Sequence, residues 1–291
     1  MDFAPFVRTL SATAKRKTVQ AYYAAAKRFE AFRGDRPYTQ GLLQDFVTSM
    51  SEEGLSPNTI QLYVYGALSF LVWLKENGGP VAEGLKTPRL PSPKDRLRAN
   101  LTEEALATYM RVAGAVPQPY STALLLLPLS GLRVGEMCQL KLQDVAVKPP
   151  WGYIFSVREG GGQTVKSKSE RQVPTLKSAF PILRGYLESV RATLPGRTWL
   201  FPKPKSDEHI DKWAMQWYMR RVRAEVGIAT LTPHTLRHVF ENILEQSGVH
   251  GLRIAAIMGH RNLSTTMKYS HPTMEQLIGD LEAVSTPWAK E

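Results

Sequence analysis

A chain of 291 residues, 43% apolar and 22% charged, has the composition of a soluble globular protein and the length for two domains with full cores. Its net charge of +11 and pI near 9.7 point toward a polyanionic partner. Residues 1–100 hold 14 Lys and Arg against 9 Asp and Glu, and the remainder 23 against 17, so the charge is no tail but is spread over both halves, as suits a clamp around a duplex.

The N-terminus lacks the compact basic–apolar–small pattern of a secretion signal. Val19, Tyr22, Ala26, Phe29 and Phe32 recur at helical spacing and predict a helix over 16–34. Thr39 caps a second helix with the apolar face Leu42, Leu43, Phe46, Val47 and Met50. Ser56-Pro57 pairs an N-cap with proline at the first helical position, and Ile60, Val64, Ala67, Leu71 and Leu74 follow as a buried stripe. Asn77-Gly78-Gly79-Pro80 ends this helix and closes an N-terminal helical domain over 1–78. Residues 79–100 carry Pro80, Pro88, Pro91 and Pro93 with Lys86, Arg89, Lys94, Arg96 and Arg98, and are read as an extended interdomain linker. Its cations either lie along phosphates or are simply solvated.

Thr102 followed by Glu103 and Glu104 restarts helix, with acids at the positive end of the dipole. Helices are expected over 102–114, 118–129 and 133–141. The apolar run Ala123–Leu129 is too short to span a bilayer, so no membrane partner is expected. Cys138, among Val134, Met137 and Leu140, reads as helix core; as the single cysteine it excludes an internal disulfide and suits a reducing cytoplasm. Short strands are expected over 144–147, 153–158 and 164–174, around Gly160-Gly161-Gly162. Helical patterning returns over Ala179–Leu194, Asp211–Val226 and Pro233–Gln246 and near the C-terminus. The C-terminal domain, 101–291, is therefore mainly helical with one small sheet.

Chemistry concentrates in His234-Thr235-Leu236-Arg237-His238, in Gly259-His260, in Tyr269 and in Gly131-Leu132-Arg133-Val134-Gly135-Glu136. Thr232 and Pro233 open a helix on which His234 and Arg237, three apart, share a face and can reach one phosphate, while Phe240, Ile243 and Leu244 take the core side. His238 either joins them or supports them. Arginine suits the task because its planar fork donates two parallel hydrogen bonds to phosphate oxygens and stays charged. Arg133 has a plainer reading as the partner of Glu136, and both hold if Glu136 orients it. A free phenol has a pKa of about 10, so Tyr269 as a nucleophile needs a nearby base or a cationic field. His234 can take its proton, and Lys166, before Val173-Pro174, can protonate the leaving oxygen from a hairpin tip; Lys168 is the alternative.

The order of these blocks resembles the tyrosine recombinases, the site-specific integrase family: Gly-Leu-Arg-x-x-Glu, a hairpin lysine, His-x-Leu-Arg-His, Gly-His, and a tyrosine nine residues on. The resemblance covers nearly the whole chain. It implies catalytic roles for Arg133, Lys166, His234, Arg237, His260 and Tyr269, and a site-specific recombinase that cuts and rejoins DNA through a 3′-phosphotyrosine bond with no metal, ATP or other cofactor. It implies a mainly α fold: a helical N-terminal core-binding domain and an α+β C-terminal catalytic domain with a small antiparallel sheet, clamping double-stranded DNA at a roughly palindromic core site. A homotetramer on DNA is implied, with an accessory protein or partner recombinase as an option, in the cytoplasm at the nucleoid. Met274, Leu277, Ile278 and Leu281 mark a tail helix that docks on a neighbouring subunit or on its own domain. A topoisomerase of type IB and a DNA-binding regulator that no longer cuts are the competing functions.

Overall fold

A computed structural model describes residues 1–92, 101–148, 152–158, 170–259 and 272–289. The chain divides into two compact units, Met1–Leu97 and Arg98–Glu291.

The first unit is built from α1 (Ala4–Thr13), α2 (Arg16–Arg33), α3 (Gln40–Glu52) and α4 (Pro57–Glu76). The hydroxyls of Thr39 and Ser56 accept from the amides of Leu42 and Thr59, at 3.2 and 3.3 Å, and so start α3 and α4 as their sequences predict. Each such cap is worth about 1 kcal/mol. Phe29, Leu43, Phe46, Met50, Ile60, Val64, Ala67 and Leu71 form the buried core between α2, α3 and α4. Gly66 permits the close crossing of α2 and α4: a Cβ there would stand 2.4 Å from Ala25 Cβ and 3.2 Å from Tyr22 Cα. α1, which has no counterpart among the expected elements, lays Phe6 against Phe70 and Trp73. The Pro-rich segment after α4 is strapped to this unit over its described part. The Gln40 side-chain amide donates to Lys86 O at 3.1 Å and accepts from Lys86 N at 2.9 Å, and Gln44 accepts from Arg89 N at 3.1 Å.

The second unit contains α5 (Glu103–Gly114), α6 (Tyr120–Ser130), α7 (Val134–Cys138), β1 (Val145–Lys148), β2 (Gly152–Arg158), β3 (Glu170–Pro174), α8 (Ala179–Ser189), α9 (Lys212–Val226), α10 (Pro233–Gln246), α11 (Gly251–Met258) and α12 (Met274–Glu282). The strands form an antiparallel sheet in the order β1-β2-β3, with Val145 opposite Phe155 and Phe155 opposite Val173. α6 is apolar all round and is the central helix of the unit, buried from Ser121 to Leu124 and from Leu126 to Ser130. Pro128 lies inside it and cannot supply the amide that Leu124 O would accept. The buried hydroxyl of Tyr109 takes that place, donating to Leu124 O at 2.7 Å.

Two expected helices differ in extent. The one over 133–141 stops at Cys138, and a 3-10 turn at Leu142–Asp144 follows, started by Lys141 N donating to Asp144 Oδ2 at 3.0 Å. The one over Ala179–Leu194 breaks after Ser189 into a 3-10 turn at Arg191–Thr193. α12 packs on its own unit, against β3, burying Leu277, Ile278 and Leu281. Cys138 is fully buried, and burial pushes its thiol up to about 12. Among the described residues no helix is long and apolar enough to cross a membrane.

Candidate active site

The site grows from the start of α10. Thr232 Oγ1 accepts from Thr235 N at 3.1 Å, and Pro233 occupies the first turn, where a missing amide costs nothing. Leu236, Phe240 and Leu244 then face the core at helical spacing, with Ile243 partly buried beside them. Arg237 is buried with them, 4% exposed. Its guanidinium is satisfied by two helix ends: it donates to Gly131 O, at the C-cap of α6, and to Met258 O, the last residue of α11. Both ends are the negative poles of helix dipoles, which favours a cation between them. Gly131 holds φ +61°, and a Cβ there would lie 2.4 Å from Phe240 Cδ1, so only glycine fits. Burial, and then repulsion from Arg133, lower Arg237 to about 10, which leaves it charged at neutral pH.

Arg133 sits on the N-cap of α7, where its backbone amide donates to Glu136 Oε2 and its Nη1 to Glu136 Oε1, each at 2.8 Å. From β3, Arg171 grips the same carboxylate with both Nη atoms, at 3.1 and 2.8 Å, and donates from Nε to Ile257 O at 3.3 Å. Arg237 Nη1 lies 4.0 Å from Glu136 Oε2. Three guanidiniums thus surround one carboxylate, an excess of two positive charges. Burial alone would raise the Glu136 carboxyl, but the hydrogen bonds and charge of Arg171, with those of Arg133, hold it below the ordinary glutamate value of 4.5. Arg171 and Glu136 are nearly covered, with side chains 14% and 13% exposed, whereas the Arg133 side chain is 46% exposed. The inner pair is scaffold, and Arg133 presents the accessible guanidinium.

His234 and His238 stand one turn apart on α10, their Nε2 atoms 3.0 Å from each other and their rings edge to face. Burial first, and then the positive fields of His238, Arg237 and Arg133, lower the His234 pKa below its ordinary 6.5. Its neutral form therefore prevails at neutral pH and can accept a proton.

Of the residues singled out in the sequence, Arg133, His234 and Arg237 come together with Glu136 and His238. Lys166, Lys168, His260 and Tyr269 lie outside the described residues. Sequence reasoning missed Arg171. Its one signal is a cation alternating with Val173 on the inward side of a strand, which marks an arginine with a buried partner. It missed Glu241 as well, a buried carboxylate on α10 that accepts from His238 Nδ1 at 3.1 Å. Among the described residues no three or more His, Cys, Asp or Glu side chains converge in a way that could hold a metal ion.

Known proteins agree with this architecture. The profile of the phage integrase family matches residues 96–276. The tyrosine recombinase XerA of Thermococcus kodakarensis is 30% identical over 273 residues, covering 81% of this chain and 92% of the relative. XerA of Pyrococcus horikoshii is 28% identical over 280 residues, covering 83% and 92%. In fold the chain is similar to the Tn1549 transposon integrase in complex with circular intermediate DNA, at a TM-score of 0.69 and 18% identity over 95% of this chain and 97% of that one. It is similar also to a lambda integrase dimer bound to a COC′ core site, at 0.66 and 18% over 93% and 97%. With the family profile spanning well over half of its residues, the chain belongs to the phage integrase family of site-specific tyrosine recombinases.

Proposed function

We propose that Arg133, Lys166, His234, Arg237, His260 and Tyr269 act as one set that cuts and rejoins double-stranded DNA through a 3′-phosphotyrosine bond. The observation that carries this reading is the cluster of Arg133, Arg171 and Arg237 around Glu136. Its positive surplus lies beside a His234 that is neutral at rest. Phosphoryl transfer builds negative charge on the nonbridging oxygens, and each preorganised donor aimed there is worth about 3 kcal/mol. Arg133 is accessible enough to grip phosphate, and Arg237 sets the positive field from beneath.

Tyr269 attacks phosphorus and gives its phenolic proton to His234. Lys166 protonates the departing 5′ oxygen, and His260 adds a donor to the phosphate. Attack on the phosphotyrosine by a partner strand's 5′ hydroxyl reverses the sequence and rejoins the DNA. The covalent bond conserves the phosphodiester energy, so the cycle needs neither ATP nor a metal. The helical unit at 1–78 grips the core site and the unit from 101 carries the chemistry, with the basic segment 79–100 between them. DNA as partner is supported by the basic surplus of both halves and by the DNA complexes named among the similar structures. The working assembly is a homotetramer on a roughly palindromic site, in the cytoplasm at the nucleoid.

The test is trapping on a pool of nicked DNA fragments, with sequencing of adducts that survive denaturant. Adducts at one short, roughly palindromic sequence are expected. Tyr269→Phe is expected to bind the same DNA and to form no adduct; an adduct in that variant would overturn the assignment of the nucleophile. Scattered wild-type adducts would indicate a DNA-relaxing enzyme, and binding with no wild-type adduct a regulator.

A further inference from the structure

α10 carries a line of polar side chains of which the cleavage steps above use only the first. His234, His238 and Glu241 follow at i, i+4 and i+7 along one flank, opposite the apolar face of the helix. Glu241 is 7% exposed and accepts from His238 Nδ1 at 3.1 Å, while His238 Nε2 meets His234 Nε2 at 3.0 Å. A carboxylate has no proton to give, so His238 Nδ1 carries the hydrogen. The contact between the two Nε2 atoms needs one donor and one acceptor, so the two rings share a single proton there. With His238 neutral, His234 is the donor, and its Nδ1 is left with a free lone pair.

We propose that Glu241 is a positioning residue that makes His238 a proton store for His234. A proton arriving at His234 Nδ1 releases the one on Nε2. The N–H bond on His234 Nε2 breaks and one forms on His238 Nε2, so His234 ends neutral and the positive charge ends on His238. Charge sets the direction: at His234 the fields of Arg237 and Arg133 outweigh that of Glu241, whereas His238 holds Glu241 directly through Nδ1 at 3.1 Å. Among the described residues, the two helices packed most closely on α10 add no charge against it. α6 has no charged residue, and α11 has only Arg253, which pairs with Asp280 at 2.6 Å. The transfer takes positive charge away from the arginines and spares them for the phosphate. The inference rests on the reading of His234 as the proton acceptor in cleavage.

The first test needs no DNA. Ring nitrogens of His234 and His238 are followed by 15N NMR in the full chain, with assignments from His234→Asn and His238→Asn. At pH 8 the wild type is expected to show His238 protonated at Nδ1 and His234 unprotonated at Nδ1; the opposite tautomer of His238 would overturn the proposal. On acidification His238 should charge before His234, and Glu241→Gln should move that titration down by ~1 pH unit. An unchanged titration would also overturn it. On the nicked site recovered by trapping, Glu241→Gln should bind DNA normally, cleave about tenfold more slowly at its plateau, and carry its acid limb to lower pH. A purely packing role would slow cleavage without moving the limb. His234→Ala separates the two readings. Wild-type cleavage in that variant sinks the cleavage role of His234; lost cleavage there, with rate and limb unchanged in Glu241→Gln, sinks the proton store alone.

Discussion

Arg237 joins a structural task to the chemistry proposed for it. Its fork closes the C-termini of α6 and α11 while it adds charge beside Arg133. Lysine keeps the charge but is a single point donor that cannot bridge two carbonyls. Arg237→Lys should therefore lose about 1.5–3 kcal/mol of stability in urea unfolding, from hydrogen bonds to a charged group. Its cleavage should fall by about 100-fold or more. Near-normal values of both would remove it from the site. Glu136 makes a pH prediction. Its folded pKa lies below the ordinary 4.5, so its contribution is complete above that value and is lost as pH falls through the folded pKa. Glu136→Gln should be less stable at pH 7 and should show a flatter decline between pH 5 and pH 3 (about two units spanning the ordinary value). An equally steep decline in the variant would assign the acid sensitivity elsewhere. Legibility at this scale follows distance along the chain. His234 and Arg237 share a helix, and a count of residues places them together. Arg171 meets Glu136 from 35 residues away, across a sheet whose register no local pattern declares. Glu241 was hidden for another reason: an acid on an amphipathic helix ordinarily reads as its solvent side.

Among the elements, α6 depends on a neighbour for its integrity. Pro128 leaves Leu124 O without its helical donor, and Tyr109 on α5 provides one. Tyr109→Phe keeps the ring and its packing but strands a buried carbonyl, which should cost about 1–3 kcal/mol in chemical unfolding. A cost near zero would mean that some other donor serves Leu124 O. α6 also ends at Gly131, whose carbonyl meets Arg237, so this defect should lower cleavage as well. Capped helices were legible because a cap is local: Thr39, Ser56, Thr102 and Thr232 each accept from the amide three residues on. α11, eight residues between His250 and Gly259, was not expected, since two turns leave too short a stripe for periodicity to register. The tail helix was legible as a helix, but the same apolar stripe serves a neighbour's surface or its own, and here Leu277, Ile278 and Leu281 are buried on their own unit.

At the scale of the whole molecule, the main apolar core of each unit and the basic surplus of each half were legible, because composition and periodicity integrate over many residues. What the sequence left open is the strap formed by Gln40 and Gln44, since a glutamine on an exposed helix face gives no sign of the backbone it will hold. The one thiol of the chain has a practical consequence. Cys138 is enclosed and its thiolate is suppressed at neutral pH, so maleimide dyes should leave the native protein unlabelled and mark it once per chain in denaturant. Rapid native labelling would show that the core around α7 opens easily. A silent native thiol means that cysteines introduced at the exposed positions Thr48 and Glu225, one in each unit, could carry a fluorescent pair with no background to remove. Whether the distance between the two units changes on DNA would then be open to observation one molecule at a time.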